Sequence, residues 1–257
     1  QHDASSKTVF EKTGRFNGDD VIDLVYRQPA AGAFLPCEMV KFYLSHEPLP
    51  TEYTDALGGW WAKQGYSYGK LLGAFFCSRL FYSPEFRGNY IKSPLQFYLG
   101  LMQDLELTPA PLPRRVLSPL RFMGQLPFYP PNVRGWVGGR TWINSATLFA
   151  RRGVVANLLT PLDKESLNGD EKAALRDVDD LEKFFVPPRR FEAWAKLPAR
   201  ETAQQLLRIA APSRQHDASF TAQLADFLEA EAAQSRRRIA VRTVLTALLE
   251  SPDYQLC

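Results

Sequence analysis

Helical apolar patterns that end at proline recur along this chain and constrain its fold more than any other feature. Residues 19–29 (DDVIDLVYRQP) begin with two aspartates, which stabilise a helix start, and end at Pro29, which cannot continue a helix. Residues 93–107 (SPLQFYLGLMQDLEL) open with Ser93 as a cap and Pro94 at the first helical position. Each pattern predicts a helix whose apolar side packs against other helices.

The same helical spacing continues over most of the remaining sequence. Further amphipathic patterns are found in residues 35–48, 67–86, 141–159, 199–210, 219–233 and 236–254. Pro36 is tolerated only in the first turn of a helix, so the helix in residues 35–48 is expected to start there. Alternating patterns typical of strands are scarce, and no strand–helix–strand rhythm occurs. We therefore predict an all-α fold: an irregular multi-helix assembly with a Pro/Gly/Trp-rich corner loop and few or no strands.

Changes in composition divide the chain into three parts. Residues 1–160 are predicted to form a helical core, and residues 191–257 are predicted to form C-terminal helices that pack on it. The segment between them, residues 161–190, is acidic and polar and ends in VPPRR. It is interpreted as a mobile polar loop or as a docking strap.

The charge balance and the apolar runs exclude several classes of protein. The chain of 257 residues has 31 Lys and Arg against 28 Asp and Glu, a net charge of +3, which is too small to indicate nucleic-acid binding. Its densest basic run, residues 235–242, is interpreted as the solvated start of an amphipathic helix. No apolar run approaches the roughly 20 residues that span a bilayer. Because Gln1 is not an initiator methionine, the chain is expected to be a processed product or a piece of a longer protein.

The cysteines and histidines give no indication of a metal or a cofactor. The three cysteines lie far apart and show no Cys-x-x-Cys spacing, and the three histidines, His2, His46 and His216, lie in dissimilar contexts. We therefore predict no metal site and no cofactor.

The most unusual stretch is PPNVRGWVGGRTWINSATLFARR, residues 130–152. Two prolines favour an extended entry, and glycines permit positive φ angles. Two tryptophans offer large areas for burial. Thr141 is a suitable cap for a following helix, with Asn144 at its third helical position. This composition predicts a rigid structural corner, to which we assign Pro130, Pro131, Gly135, Trp136 and Trp142, with both tryptophans largely buried.

The same stretch also fits an anion site. A glycine pair before a helix start exposes unpaired N–H groups, and arginine side chains can fork onto a phosphate, sulfate or carboxylate. The spacing is not that of a nucleotide-binding loop. The candidate ligand-binding residues are Arg134, Gly138, Gly139, Arg140, Thr141 and Asn144. The sequence leaves the corner and the anion site as open alternatives.

Three segments carry a resemblance to a known family, residues 92–107, residues 123–152 and the terminal LLESPDYQLC, and the opening residues 2–30 resemble the same family. The second contains the pattern GQ-x-x-F-x-PP-x-V-x-GW-x-GG-x-x-W. The chain resembles the bacterial family of domains of unknown function numbered 1800. The resemblance runs along nearly the whole chain, and only the family's C-terminal half is expected to be represented. Pro36 departs from the usual pattern of the family.

The resemblance implies a mostly helical protein of a bacterial family whose members usually carry an export signal. It also implies genetic neighbours that resemble sulfatases and alkaline phosphatases, but it provides no catalytic residue. Our first hypothesis is an exported binding or assembly module of the periplasm or cell envelope. Its partners would be another protein, such as the sulfatase- or phosphatase-like neighbour, and the missing N-terminal half. The alternatives are a cell-envelope hydrolase that acts on an anionic substrate, and a structural scaffold.

Overall fold

The structure, a computed structural model, describes residues 3–210, 218–231 and 233–257. Within these ranges it contains twelve α-helices and one two-stranded sheet, which confirms the predicted all-α class. His2 and His216 lie outside the described residues. The chain divides into two compact units, Gln1–Asn89 and Tyr90–Cys257. Both predicted boundaries, at residues 160 and 190, fall inside the second unit, and the three-part division stays a prediction.

The first unit begins with a small β-hairpin. Strands β1 (Lys7–Val9) and β2 (Lys12–Gly14) pair antiparallel, with Lys7 opposite Gly14. The two residues between them, Phe10 and Glu11, have φ angles of 46° and 64°. Positive φ at both central positions is typical of the tight turn whose twist matches a hairpin.

Four helices complete the first unit: α1 (Gly18–Tyr26), α2 (Ala30–Tyr43), α3 (Thr51–Lys63) and α4 (Tyr68–Phe76). Asn17 caps α1 in a capping box with Asp20. The apolar sides of α2, α3 and α4 meet in a separate core. Its buried residues are Met39, Val40, Leu44, Trp61, Leu71 and Phe75.

The predicted position of Pro36 in a first helical turn is wrong. Helix α2 begins at Ala30, so Pro36 lies in its interior, where it has no N–H to donate to the carbonyl of Gly32. That carbonyl lies where α2 crosses α3, and the two backbones meet so closely that a Cβ on Gly32 would be 3.2 Å from the Gly58 oxygen. The burial of Pro36 and the close packing of α2 on α3 offset the missing hydrogen bond.

The second unit contains the other eight helices. They are α5 (Pro94–Asp104), α6 (Pro113–Phe122), α7 (Ser145–Leu158), α8 (Gly169–Ala174), α9 (Pro188–Lys196), α10 (Ala199–Ala210), α11 (Ala218–Ala230) and α12 (Gln234–Glu250). Helix α12 contacts α7, α9, α10 and α11, so it lies at the centre of this unit. Its residues Val241 and Leu245 are fully buried in the main core.

Residues 161–190, interpreted above as a loop or strap, are tethered to the second unit. The Lys183 carbonyl accepts a hydrogen bond from Thr108 N at 2.8 Å, and Val186 N donates to the Leu158 carbonyl at 2.7 Å. The segment also contributes to a small apolar cluster. Its buried members are Leu112, Leu167, Leu175 and Phe184.

The end of the chain pairs with the start of the second unit. Tyr90 and Cys257 exchange backbone hydrogen bonds of 3.1 and 2.8 Å, and Lys92 N donates to the Gln255 carbonyl at 2.8 Å. This pairing holds the residues that follow α12 against the residues that precede α5.

Candidate functional site

The helix that follows the corner begins three residues later than the sequence analysis predicts. Helix α7 begins at Ser145 and is capped by Asn144, whose Oδ1 accepts from Thr147 N at 3.0 Å. Thr141 lies instead in a 3-10 turn, Gly139–Trp142, and donates from its hydroxyl to the Gly138 carbonyl. The predicted cap at Thr141 is therefore wrong. The physical reason is that Ile143 is extended, which separates the 3-10 turn from the α-helix.

The base of the corner is packed onto α7. The Trp142 side chain is only 7% exposed, and the Thr147 hydroxyl lies 3.0 Å from the Trp142 carbonyl oxygen. Gly138 and Gly139 have φ angles of 79° and 59°, which residues with a side chain rarely adopt. The expected burial is confirmed for Trp142, whereas Trp136 is half-buried.

The outer part of the corner exposes four apolar side chains, which we call the apolar tip: Phe128, Tyr129, Val133 and Val137. Each of them is at least 77% exposed. Phe128 has a positive φ of 63°, a strained conformation for a residue with a side chain. The loop is nevertheless held locally, since Asn132 Oδ1 accepts from Arg134 N at 2.8 Å and its carbonyl accepts from Gly135 N at 3.0 Å.

The sequence around the corner is strongly basic although the whole chain is nearly neutral. Residues 107–162 contain seven arginines and no acidic residue. Arg121, Arg134 and Arg140 in this range are exposed. The apolar tip therefore lies in a stretch of sequence whose only charged side chains are arginines, two of which, Arg115 and Arg152, pair with glutamates from other segments.

A cavity of about 780 Å³ lies beside the base of the corner. Arg140 and Ser145, which come from the 3-10 turn and the first residue of α7, are part of its wall. The other predicted anion-site residues are not among those that line it: Arg134, Gly138, Gly139, Thr141 and Asn144. The structure thus brings one predicted arginine to the cavity and leaves the glycine pair in the corner.

A second arginine of the cavity, Arg151, is almost completely buried, with 1% of its surface exposed. Its Nη1 donates to Gln255 Oε1 at 3.1 Å, and its Nη2 donates to the Lys92 carbonyl at 2.7 Å. The guanidinium lies over the Phe97 ring, 4.7 Å from its centre. The Arg151 Nε has no hydrogen-bond partner, and no carboxylate of the described residues forms an ion pair with Arg151. Burial lowers the pKa of Arg151 to about 10, so the side chain is still cationic at neutral pH.

Gln255, which accepts a hydrogen bond from Arg151, lies near the end of the chain. Ser251 and Pro252 stop α12, and a 3-10 turn (Pro252–Gln255) directs Tyr254 into the core, where its hydroxyl donates to Asp104 Oδ2 at 2.8 Å. Lys92 Nζ lies 3.7 Å from the centre of the Tyr254 ring. Burial is the main cause that raises the pKa of Tyr254, and it lowers the pKa of Lys92. This packing fixes the position of Gln255 beside Arg151.

Apart from Ile91 of the cavity wall, the residues of the corner, the cavity and the chain end lie within the segments 92–107, 123–152 and 248–257 that carry the family resemblance. The family model described as "Protein of unknown function (DUF1800)" matches residues 1–256. The chain belongs to the DUF1800 family. The match covers essentially the whole chain, and the expected restriction to the C-terminal half of the family is not borne out. No curated protein and no solved structure matches the chain.

Sequence reasoning missed the most unusual polar group of this DUF1800 chain. Arg151 lies on the buried face of α7, in line with Thr147, Val154 and Leu158. The sequence does contain a signal for this group, an arginine on an otherwise apolar helix face. Such a position is unusual because charged residues are almost never fully buried without a partner. The sequence contains no such signal for Gln255, because its hydrogen bond to Arg151 joins it to α7, which is distant in sequence.

Within the described residues, three further features concern a metal site, a membrane-spanning helix and a nucleophile. Within the described ranges, no three His, Cys, Asp or Glu side chains lie close enough to hold a metal ion. No described helix is both long enough and apolar enough to cross a bilayer. In the cavity, the Glu250 carboxylate lies 3.4 Å from Arg152 Nε, and the Ser145 hydroxyl has no hydrogen-bonded base among the described residues.

Proposed function

We propose that this DUF1800 protein is an exported binding or assembly module that docks onto a partner protein through the apolar tip of its corner. The observation that carries the proposal is the exposure of four large apolar side chains on a loop whose base is pinned. Exposed apolar groups that cluster in this way are typical of interaction sites. A loop fixed before binding loses less conformational entropy when it docks, which favours affinity.

The side chains of the tip also indicate what kind of surface the partner must have. Phe128 and Tyr129 are aromatic anchors that fit a pocket, and Arg134 follows them by six and five residues on the same loop. We therefore expect an apolar groove with an acidic rim on the partner. The sulfatase- or phosphatase-like neighbour that the family resemblance implies is the candidate, and export to the periplasm or cell envelope is expected from the same resemblance.

The test starts from untagged native protein, with mass spectrometry of the protein that co-purifies with it. The purified partner is then titrated against the wild type, Phe128→Ser, Val133→Ser and the control Phe42→Ser, an exposed aromatic residue of the first unit. We expect the two tip variants to lose at least about tenfold in affinity, the factor that corresponds to about 1.4 kcal/mol. The melting temperature should not change, because these side chains are exposed. Equal affinities of wild type and tip variants would overturn the proposal.

Anionic lipid vesicles serve as a second arm of this test. Exposed aromatic side chains next to arginines also suit a membrane surface. If the wild type binds the vesicles, the tip variants do not bind them, and no protein partner is found, the partner of the tip is a membrane surface and not a protein.

The alternative function, a cell-envelope hydrolase for an anionic substrate, is favoured only by the arginine-lined cavity with Ser145 on its wall. Its test is the hydrolysis of aryl phosphate, sulfate and carboxylate esters by the wild type and by Ser145→Ala. Turnover by the wild type that the variant loses would favour the hydrolase over the binding module.

A further inference from the structure

We propose that the cavity beside the corner binds an amphiphilic organic anion, with the anionic head on Arg151 and the apolar body against the cavity wall. This site is separate from the apolar tip, since Phe128 and Val133 do not line the cavity. The inference therefore stands independently of the proposed protein partner.

The first argument is the burial of a charge without a counter-charge. Arg151 is 1% exposed, and both of its hydrogen-bond acceptors, Gln255 Oε1 and the Lys92 carbonyl, are neutral. A buried charge is costly unless an opposite charge compensates it. A bound anion would supply that charge, which gives a physical reason for an arginine on an apolar helix face.

The second argument is the supply of unused donors. A guanidinium has five N–H groups, and those of Arg151 make two hydrogen bonds within the described residues. The Nε is buried and has no partner. Because this Nε is closed to solvent, anion binding requires the Arg151 side chain to turn towards the cavity, where its Nε and an adjacent Nη form a fork that matches two oxygens of a carboxylate or phosphate.

The third argument is the sign of the charge on the wall. The residues that line the cavity include three arginines, Arg140, Arg151 and Arg152, and one acidic residue, Glu250. Glu250 pairs with Arg152 on the outer side, where the Arg152 side chain is 67% exposed. Arginines therefore outnumber acidic residues among the residues that line the cavity.

The fourth argument is the apolar remainder of the wall, which favours an organic anion over a small inorganic one. The apolar lining residues are Ile91, Phe97, Ile143, Leu148, Phe149, Leu249, Pro252 and Leu256. A volume of about 780 Å³ is within the range of sites for small organic ligands. An inorganic ion would leave this surface in contact with water, whereas an acyl or aryl chain would bury it.

The experiment is calorimetric titration of the wild type with decanoate, decyl phosphate, decanol and acetate. We expect both decyl anions to bind, with a preference that identifies the head group as carboxylate or phosphate. Decanol lacks the charge and acetate lacks the apolar body, so each should bind at least about tenfold more weakly than the better anion. Decanol binding as tightly as both anions would overturn the proposal, as would acetate binding as tightly as decanoate.

Two variants with matched controls assign the binding to this cavity. Arg151→Gln should weaken binding of the better anion by roughly tenfold to a hundredfold, the effect of a charged hydrogen bond, whereas Arg200→Gln removes one exposed cation elsewhere and should not. Phe149→Ala shortens an exposed side chain on the cavity wall and does not endanger the fold, and Phe122→Ala is its control outside the cavity. If Arg151→Gln does not fold, the pair Phe149→Ala and Phe122→Ala decides alone. Affinity lost in Phe149→Ala and kept in Phe122→Ala supports the site, and unchanged affinity in Phe149→Ala overturns it.

Discussion

Arg151 and Gln255 lie 104 positions apart in the sequence and are joined by a hydrogen bond of 3.1 Å between Nη1 and Oε1. The Gln255 Nε2 lies 3.3 Å from the Leu249 carbonyl and 3.2 Å from the Ser251 carbonyl at the end of α12. Gln255 therefore connects the buried guanidinium on α7 to the last turn of α12.

The first prediction concerns this connection. Gln255→Ala leaves the Arg151 Nη1 without its acceptor, and a lost hydrogen bond to a charged group costs roughly 1.5–3 kcal/mol. We expect the free energy of unfolding of the second unit to fall by that amount in urea denaturation. Gln103→Ala, at an exposed position of α5, should have almost no effect. Equal losses in the two variants would contradict the structural role of Gln255.

The second prediction separates the two tryptophans of the corner. Trp142→Ala should cost roughly 3–5 kcal/mol, because removal of a buried aromatic side chain leaves a cavity. Trp136→Ala should cost clearly less, because Trp136 is only partly buried. Thermal and urea denaturation measure both variants, and a larger loss for Trp136→Ala would show that the corner packs differently.

The third prediction tests the crossing of α2 and α3. A Cβ at position 58 would overlap the Gly32 carbonyl, whereas a Cβ at position 59 meets no atom within 4 Å. Gly58→Ala should therefore destabilise the first unit. Gly59→Ala should stabilise it by roughly 0.5–1 kcal/mol, since alanine is the better residue in a helix interior. Denaturation of the two variants should give changes of opposite sign, and changes of the same sign would contradict the close crossing.

The fourth prediction concerns pH. The hydrogen bond from the Asn168 backbone, followed by the Arg115 side chain, holds the pKa of the Glu171 carboxyl below its usual value of 4.5. The folded state thus binds protons less readily than the unfolded state. The stabilisation by Glu171 is complete above that usual value and is lost as the pH falls through the lowered pKa of the folded state.

Limited proteolysis of residues 161–190 at pH 7 and at about pH 3 measures this effect. We expect acid to increase cleavage more in the wild type than in Glu171→Gln, which lacks the titrating group. The neighbouring variant Asp170→Asn should behave like the wild type, because no ion pair of Asp170 is found within the described residues. The same acid response in Glu171→Gln and wild type would assign the effect to other carboxylates.

Several features of this protein are local, and the sequence determined them. The helical class follows from apolar periodicity and proline, which act within a few residues. Ser93 caps α5 with Pro94 in its first turn, as predicted, because a capping box involves only four consecutive residues. The glycines of the corner adopt positive φ angles for the same local reason.

Other features depend on contacts between distant segments, and only the tertiary structure decided them. Pro36 lies inside α2, and the Gly32 carbonyl that it leaves without an N–H donor lies close to Gly58 in the next helix. The hydrogen bonds of the buried Arg151 form only when Lys92 and Gln255, which are distant in sequence, pack against it. The sequence determines which segments are helical, because that choice is made within one or two turns. The burial of Arg151 and the shape of the cavity beside it arise only when three segments pack together, because desolvation of a charge depends on all of the surroundings.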